Sequence, residues 1–419
     1  MWPKRVANKI LGKRFGTNNN SNFVADLPRL DMETALVPEV PSLEQLSSYY
    51  DDKTLLDHRK QTHEYKIFVS TWNVGGVTPG VDLSMEDWLD LRDNACDIYV
   101  LGFQEVVPLT ASAVLGSENA TIRTKWNAVI GKSLNRTRHE QDRFHCMMSK
   151  QMVGLLVTIW VRGGLLAHIT HPSASCVGCG VMGCLGNKGA VSVRFELYET
   201  SFCFVCTHLA SGDRQADHEL RNSNAAQILS RTSFPGGPSL NSPRKILDHD
   251  RVILLGDLNC RISLPEATTR SLVERSEWSK LLKHDQLKAE LRNGRVLQGW
   301  QEGRIDFVPT YKYCPNSDVY YGSGQENIKG EGRRVPAWCD RIIWYGEGLK
   351  QHLYTRGESK LSDHRPVKAI FTAQVSVSTK LEGLWSFLTS QSFERIKNVS
   401  ADEILDSTAR RAFKFCSVD

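Results

Sequence analysis

Short apolar runs alternate with helix-like stretches along the middle of this chain, from residue 65 to about residue 371. Each run is rich in β-branched or aromatic residues and is bounded by polar residues, which is the pattern of a buried strand. The runs cover residues 65–71, 97–102, 154–161, 190–197, 202–207 and 251–255. Helices are predicted between them over residues 85–95, 215–230 and 271–283. The pattern therefore predicts a mixed α/β domain with buried strands.

Polar side chains follow three of these runs at the point where the run ends. Asn73 follows the first run, Glu105 follows the second, and Asp257 and Asn259 follow the last. A carboxylate or amide at the end of a buried strand is held rigidly and faces a cleft, which is where metal-assisted hydrolysis needs its oxygen ligands. Candidates of the same kind elsewhere in the chain are His208, Asp340, Asp363 and His364.

These residue types suit the attack of water on a phosphate. Glu105 and Asn73 would hold Mg²⁺, which proteins usually bind through one or two carboxylates, water and a substrate phosphate. Asp257 would accept a proton from the attacking water or orient it, and Asn259 would fix the geometry. Asp363 would be a further metal ligand or would shape the outer shell of the ion.

Two histidines complete the predicted catalytic set. His364 would donate a hydrogen bond or a proton to the phosphoryl group, and it needs a carboxylate partner, for which Asp340 is the candidate. His208 would clamp the phosphate from the side. Each group alone has an ordinary explanation, because Asp-x-Asn after a strand is commonly an Asx turn and a lone Asp-His pair is usually a surface feature. The functional interpretation depends on several such groups, each at the end of a buried strand.

Composition narrows the classes of function. The chain has 419 residues, with 52 Lys and Arg against 47 Asp and Glu, so its net charge is +5. That surplus is too small to indicate nucleic acid, although it permits local basic patches that face an anion. No apolar stretch approaches the ~20 residues of a membrane span, and no secretory signal is recognisable. We therefore expect a cytoplasmic location.

The chain has 11 cysteines, an odd number, which indicates free thiols rather than a disulfide framework. Cys176, Cys179 and Cys184, together with Cys203 and Cys206, leave a zinc site open as an alternative. Cys203 and Cys206 lie three positions apart on a predicted strand, so their side chains point to opposite faces. We favour the interpretation that such cysteines are small core residues.

Three segments are predicted along the chain. Residues 1–64 form a basic, partly disordered arm, whose first 25 residues contain no acid. Apolar residues recur there at helical spacing, so peripheral contact with an anionic membrane is the alternative. Residues 65–373 form the α/β domain, and residues 374–419 form a helical extension. Within the domain, residues 232–243 are predicted to be an exposed, tolerant loop, and the glycine-rich residues 321–332 a mobile flap over a substrate.

Taken in order, the candidate residues resemble those of the inositol polyphosphate 5-phosphatases, within the magnesium-dependent endonuclease/exonuclease/phosphatase superfamily. The resemblance covers about residues 65–373 and includes Asn73, Glu105, His208, Asp257, Asn259, Asp340, Asp363 and His364. Three further stretches are similar to the 5-phosphatases in particular, namely residues 183–190, 307–312 and 334–341. Gly-Cys-Leu-Gly-Asn-Lys in the first stretch is similar to the plant type I members.

The resemblance implies a four-layer α-β-β-α sandwich, in which two packed sheets are flanked by helices. It also implies Mg²⁺-dependent hydrolysis of the 5-phosphate of a phosphorylated inositol or phosphoinositide headgroup by an activated water. Asn187 and Lys188 would approach the 1-phosphate, and Tyr311, Lys312 and Arg334 the 4-phosphate. Many members carry a lysine where this chain has Gly332, which puts the arrangement at the 4-phosphate in doubt. Arg261 also matches the family, and we interpret it as structural.

Two other functions remain open at this point. A nuclease of the same superfamily would share the catalytic residues, but it would be expected to show a basic groove with stacking aromatic residues. A catalytically silent phosphoinositide-binding protein is disfavoured because every expected catalytic residue is present. The sequence does not decide between a soluble and a lipid substrate, and it does not give the oligomeric state.

Overall fold

The computed structural model describes residues 60–80, 83, 85–91, 96–108, 120–136, 138–180, 186–236, 242–322 and 334–378. The features predicted for the amphipathic start of the arm, most of the flap, Cys184, Gly332 and the helical extension from residue 379 onward lie outside these residues. The first strand begins at Lys60 and the last ends at Ser378, so the paired strands extend beyond the predicted limits of 65 and 373.

Twelve strands are present among the described residues. In chain order they are β1 (Lys60–Asn73), β2 (Ile98–Gln104), β3 (Phe144–Met152), β4 (Leu155–Arg162), β5 (Ile169–Gly178), β6 (Gly189–Leu197), β7 (Thr200–His208), β8 (Arg251–Asp257), β9 (Gln301–Glu302), β10 (Asp340–Tyr345), β11 (Leu349–Arg356) and β12 (Val367–Ser378). All six predicted strands are among them. The C-terminal end of each strand differs from its predicted position by a few residues at most.

The strands form two six-stranded mixed sheets of the same plan. Sheet A has the order β11-β12-β1-β2-β4-β3, and sheet B has the order β5-β6-β7-β8-β10-β9. Each sheet has one parallel pair at its centre, β1 with β2 and β7 with β8, and every other pairing is antiparallel. The carboxyl ends of each parallel pair therefore lie at a common edge, where the candidate polar residues are found.

Seven α-helices are described. They are α1 (Glu86–Leu89), α2 (Ala120–Asn135), α3 (Gly163–Leu166), α4 (Gln215–Arg231), α5 (Glu266–Glu274), α6 (Trp278–Leu282) and α7 (Gln286–Asn293). No helix of the described part is long and apolar enough to cross a membrane.

The predicted helix over 215–230 is confirmed by α4, whereas the other two helix predictions are too long. Helix α1 ends early because Asp90 has a left-handed φ of 54°. The predicted 271–283 helix is divided into α5 and α6, since Ser276 between them has a φ of 55°. A left-handed φ interrupts helical hydrogen bonding, and apolar spacing does not reveal it.

Three apolar clusters hold four layers together. The cluster between the sheets joins residues such as Val100 of sheet A to Phe204 and Leu255 of sheet B. On the outer face of sheet A, Trp126 of α2 packs against β-strand aromatic residues such as Phe103, with ring centroids 4.5 Å apart. On the outer face of sheet B, helices α4 and α7 pack through apolar side chains. The predicted α-β-β-α sandwich is thereby confirmed.

The described ends of the 232–243 loop are more firmly attached than predicted. Phe234 is buried, and the guanidinium of buried Arg194 lies over its ring. The same guanidinium donates to the carbonyl oxygens of Pro235 and Pro243 at 3.0 and 2.7 Å. The expectation of exposure holds for Ser233, Pro235 and Gly236 and fails for buried Thr232 and Phe234, and one core arginine binds the two ends of the loop together.

A buried ionic cluster supports sheet B behind the edge that carries Asp340. Arg341 is fully buried and forms ion pairs with Asp285 at 2.9 Å and Glu302 at 2.6 Å, both of which are buried as well. Asp285 also caps α7 by accepting the main-chain amide of Lys288. The cluster links the start of β10 to a helix and to the edge strand β9, so it fixes the position of the neighbouring Asp340.

Candidate active site

The register of sheet B places three of the predicted residues in one row. His208, the last residue of β7, pairs with Asp257, the last residue of β8. Asp340, the first residue of the antiparallel strand β10, pairs with Asp257 from the other side. Because paired residues on adjacent strands lie side by side, three short sequence signals from distant parts of the chain meet at one edge.

Sheet A supplies the opposing edge. Asn73 ends β1 beside Gln104, the last residue of β2, so Glu105 directly follows at the same edge. Asn73 Nδ2 donates to Asp257 Oδ2 at 3.0 Å and thereby joins the two sheets. Asn73 Oδ1 accepts the amide of Gly75. Glu105 leaves the strand with a left-handed φ of 55°, and its carboxylate is 29% exposed at the cleft.

Asp257 is the centre of the site, and its two oxygens have different partners. Oδ1 accepts the main-chain amide of Asn259 at 2.9 Å, which is an Asx turn. Oδ2 receives Asn73 Nδ2 and lies 3.2 Å from His208 Nε2 and 3.9 Å from His364 Nε2. Burial alone would raise the pKa of Asp257, but His364 and His208 lower it. The Asx turn holds Oδ1 and leaves Oδ2 to the groups from the neighbouring strands and loop. The turn is therefore compatible with the role predicted for Asp257.

His364 is oriented by Asp340, as its assigned role requires. His364 Nδ1 lies 2.9 Å from Asp340 Oδ2, and both side chains are buried. The same oxygen accepts the hydroxyl of Thr310 at 2.7 Å. Burial would lower the pKa of His364, but the carboxylates of Asp340 and Asp257 raise it to about 10. The imidazole is thus a cation at neutral pH with Nε2 directed at Asp257.

Lys188 lies inside this cluster, with Nζ 2.5 Å from His208 Nε2. It directly precedes β6, which Gly189 begins with a φ of +138°, where a Cβ would lie 2.0 Å from the carbonyl oxygen of Val177. Only glycine fits such a position. Burial lowers the pKa of both Lys188 and His208, and Lys188 lowers that of His208 further. His208 is therefore neutral beside Asp257, unlike His364.

Of the three residues predicted for the 4-phosphate, Tyr311 lies beside His364, while Lys312 and Arg334 pair with nearby carboxylates. The ring of Tyr311 is 4.6 Å from that of His364. The guanidinium of Arg261 lies over the same tyrosine ring, 4.7 Å from its centroid. Lys312 Nζ lies 3.6 Å from Asp363 Oδ2. Arg334 lies 3.6 Å from Asp213, which also pairs with Arg261 at 3.2 Å. These cations border the cleft beside the reaction centre.

Of the remaining predicted residues, Asn259 and Asp363 have hydrogen-bond partners within the chain. Asn259 Nδ2 donates to the carbonyl oxygen of Leu209 at 3.1 Å, and its Oδ1 accepts from Arg261 at 2.9 Å. Asn187 Oδ1 is buried without a hydrogen-bond partner among the described residues. Asp363 accepts a hydrogen bond from Ser362 at 3.1 Å. Arg261 therefore orients Asn259, which agrees with its structural interpretation and adds a direct link to the site.

Two groups of side chains in the described part could hold a divalent cation. Ligand atoms of Asp257, Asp340 and His364 lie within 4.8 Å of one another. In that group, however, Asp340 Oδ2 is already engaged by His364 and by a threonine hydroxyl. The second group is Asn73 and Glu105, at the ends of adjacent strands. Asn73 Oδ1 likewise accepts the amide of Gly75, and Glu105 Oε1 lies 3.8 Å from His208 Nε2. This second group offers only oxygen ligands, which are the kind that Mg²⁺ takes.

Two residues that contact the site, Thr310 and Asp213, are not predicted by the strand-end pattern. Thr310 stands directly before Tyr311 in one of the noted stretches, but an uncharged threonine carries no obvious chemistry. Asp213 follows the end of β7 by five residues, farther than Asn73, Glu105, Asp257 or Asn259 lie from the ends of their strands. The strand-end pattern therefore gives no signal for it.

The cysteines do not form the alternative zinc site in the described part of the chain. Cys203 packs in the outer cluster of sheet B, while Cys206 packs between the sheets, so the two side chains point to opposite faces. Nine described cysteines are free thiols. Burial raises the pKa of the Cys206 thiol to about 12, as expected for a core residue.

Comparison with known proteins agrees with this geometry. Residues 70–370 match the model of the Endonuclease/Exonuclease/phosphatase family 2. Type IV inositol polyphosphate 5-phosphatase 9 of Arabidopsis thaliana is 55% identical, with 96% of this chain and 99% of the relative covered. Type I inositol polyphosphate 5-phosphatase 8 of the same plant is 40% identical, with 90% and 87% covered.

A solved structure gives the same result. The inositol polyphosphate 5-phosphatase domain of Spsynaptojanin, in complex with inositol (1,4)-bisphosphate and calcium ion, superposes with a TM-score of 0.68. The two chains are 30% identical, and the match covers 83% of this chain and 94% of that one. The similarity thus includes nearly the whole of the described sandwich.

Proposed function

This chain belongs to the inositol polyphosphate 5-phosphatases, and we propose from that premise that it removes the 5-phosphate of phosphoinositides or soluble inositol polyphosphates with the help of Mg²⁺. The observation that carries the proposal is the convergence on Asp257 Oδ2. Asn73 Nδ2, His208 Nε2 and His364 Nε2 lie 3.0, 3.2 and 3.9 Å from this oxygen. The three residues that supply these nitrogen atoms come from strand or loop ends that lie up to 291 positions apart in the sequence.

In the proposed reaction, Asp257 receives the proton of the attacking water. Its Oδ1 is held by the Asx turn, so Oδ2 is the oxygen that faces the water. The water oxygen forms a bond to phosphorus as the bond from phosphorus to the inositol oxygen breaks, and the inositol oxygen is protonated to give the hydroxyl and inorganic phosphate. Asn259 and Arg261 keep Asp257 and its loop in place. Phosphoryl transfer depends mainly on such positioning and on charge stabilisation.

His364 and the cations stabilise the negative charge of the phosphoryl group. The imidazolium, held by Asp340, donates a hydrogen bond or its proton to a phosphoryl oxygen, and His208 binds the phosphate from the side. Asn73 and Glu105, with Asp363 close to Gly75, would hold Mg²⁺, which polarises a phosphoryl oxygen and neutralises developing charge when bound. The fit rests on oxygen donors at the ends of adjacent strands.

We propose that the outer phosphates are bound by the side chains that border the cleft. Tyr311, Lys312 and Arg334 would contact the 4-phosphate, since the Tyr311 ring lies 4.6 Å from the His364 ring, which we propose binds the reacting phosphate. Asn187, with its unpartnered buried oxygen, and Lys188 would serve the 1-phosphate. Charge-assisted hydrogen bonds to phosphate are the strong kind. Because Lys188 Nζ lies 2.5 Å from His208 Nε2, we propose that its ammonium also approaches the phosphate that His208 would bind.

For location, we propose the cytoplasm with peripheral contact to an anionic membrane. The free thiols support a reducing compartment. The basic residues of the N-terminal arm support the membrane contact, because juxtamembrane basic clusters bind anionic lipids.

The test is a specificity panel with soluble inositol polyphosphates and phosphoinositides in liposomes. Each substrate is offered with and without its 5-phosphate, in Mg²⁺ or in EDTA, to the full chain and to a chain without residues 1–59. We expect phosphate release only from 5-phosphorylated substrates and only with the metal. Loss of the arm should lower the rate on liposomes and leave the rate on soluble substrates unchanged.

The same experiment includes a duplex DNA with an abasic site, to test the nuclease alternative. Cleavage of the DNA, with no release of the 5-phosphate, would show that the proposed substrate is wrong. Binding of inositides without turnover would instead favour the silent binding protein.

A further inference from the structure

Thr310 lies directly behind the catalytic histidine and its carboxylate partner. Its side chain is fully buried, and Oγ1 donates to Asp340 Oδ2 at 2.7 Å. The Nδ1 atom of His364 lies 2.9 Å from the same oxygen. One carboxylate oxygen is therefore engaged by two donors, while Asp340 Oδ1 is buried with no hydrogen-bond partner among the described residues.

The direction of the hydrogen bonds fixes which way the threonine hydroxyl points. The main-chain amide of Asp340 lies 3.4 Å from Thr310 Oγ1 and donates to it. A hydroxyl has a single proton, and a carboxylate bound to an imidazolium can only accept, so that proton goes to Oδ2. The two hydrogen bonds close a small ring between Thr310 and Asp340, which restrains the orientation of the carboxylate.

The main chain of Thr310 holds the other member of the pair. Its carbonyl oxygen accepts the amide of Arg365, the residue after His364, at 2.9 Å. The next residue, Tyr311, exchanges two main-chain hydrogen bonds with Ala337, three residues before Asp340. Thr310 thus contacts both segments of the His364–Asp340 pair. Its side chain bonds to Asp340, and its main chain bonds to the residue after His364.

We propose that Thr310 is a positioning residue for His364, acting through Asp340, in the hydrolysis described above. The inference rests on the proposed role of His364. Buried threonines are often simple core residues. Thr269 is an example in this chain, because its buried hydroxyl donates to the carbonyl oxygen of Pro265, at the start of the helix that contains Thr269. Thr310 differs because its hydroxyl engages a carboxylate of the active site.

The test compares Thr310→Val, which removes only the donor, with Thr310→Ser, which keeps it. Hydrogen bonds to charged groups are strong enough that we expect kcat of T310V to fall by about 10- to 100-fold with KM nearly unchanged. T310S should retain most of the wild-type kcat. Thr269→Val, at an equally buried site, should leave kcat unchanged. T310A removes the same hydroxyl from a smaller side chain and serves if T310V does not fold.

A second readout does not depend on turnover. With ¹⁵N-labelled histidine, the proton on His364 Nδ1 should give a slowly exchanging downfield NMR signal in the wild type, T310S and T269V. In T310V or T310A this proton should exchange faster. If T310V keeps both normal kcat and the protected proton, the positioning role is refuted, whatever the substrate is. If His364→Ala also leaves turnover normal, the proposed function of His364 fails instead.

Discussion

Replacement of Asp340 by asparagine should remove the charge that keeps His364 protonated, while the shape of the side chain is kept. Asparagine still offers an oxygen to Nδ1, so the ring should keep its orientation. Asp340 lies 2.9 Å and Asp257 3.9 Å from His364, and Asp363 is a third carboxylate that raises its pKa; Asp340 has the largest influence of the three.

The size of the effect follows from the pKa of about 10 for His364, against 6.5 for an unperturbed imidazole. Each unit of pKa corresponds to ~1.36 kcal/mol, so the surroundings as a whole, with burial opposing the carboxylates, favour the imidazolium by about 5 kcal/mol. Asp340 is the largest of the influences that raise this pKa, so D340N should lower the pKa of His364 toward or below its ordinary value. At pH 9 the imidazole would be roughly 90% protonated in the wild type and mostly neutral in D340N.

The direct assay is an NMR titration of the His364 ring protons in metal-free protein. The kcat of the metal-loaded enzyme should show the same change, as an alkaline limb that begins at lower pH in D340N. Because the folded pKa is raised, its stabilising effect is complete below pH 6.5 and is lost as the pH rises through about 10. Asp318→Asn is the control, since Asp318 pairs with Arg365 and not with His364. Equal His364 pKa values in D340N and the wild type would refute the reasoning.

Three further predictions concern turnover, specificity and stability. H364A or D257A should lower kcat by about 100-fold or more while substrate affinity, measured by calorimetry, stays similar; near-normal turnover would contradict their roles. K312A should raise KM for substrates with a 4-phosphate and not for those without, and equal losses on both would remove its assigned contact. Arg341→Met should lower the free energy of unfolding in urea by about 3–5 kcal/mol, because it leaves buried Asp285 without its ion pair and Glu302 with Lys288 alone. Lys280 forms an exposed ion pair with Glu277 and serves as the comparison. K280A should lower the free energy of unfolding by less than about 1 kcal/mol.

The strand-end pattern predicted the fold class, and it predicted which polar side chains lie at one edge. Asn73, Glu105, His208 and Asp257 each stand where a buried apolar run ends, and parallel pairing brings such ends to one edge. The apolar runs are long enough to define strands, and the polar residues after them are conspicuous. That these side chains lie together could therefore be inferred from local patterns, whereas their catalytic roles stay a prediction.

The contacts between these residues could not be predicted in the same way. The pairing of Asp340 with Asp257 depends on the register of β10 against β8, which is set by long-range packing. The contact of Lys188 with His208 depends on the unusual backbone at Gly189. Thr310 carries no charge, so only its position in the folded chain reveals its hydrogen bond to the active-site carboxylate.

The position of the metal tests the central claim most directly, since the claim is that Asn73 and Glu105 hold the cation while Asp340 orients His364. Crystals of the full chain grown with Mn²⁺ and inorganic phosphate would show the cation by its anomalous scattering. We predict a peak at the Asn73 and Glu105 oxygens, with phosphate between the metal and His364. A peak enclosed by Asp257, Asp340 and His364, with Glu105 uninvolved, would contradict the account.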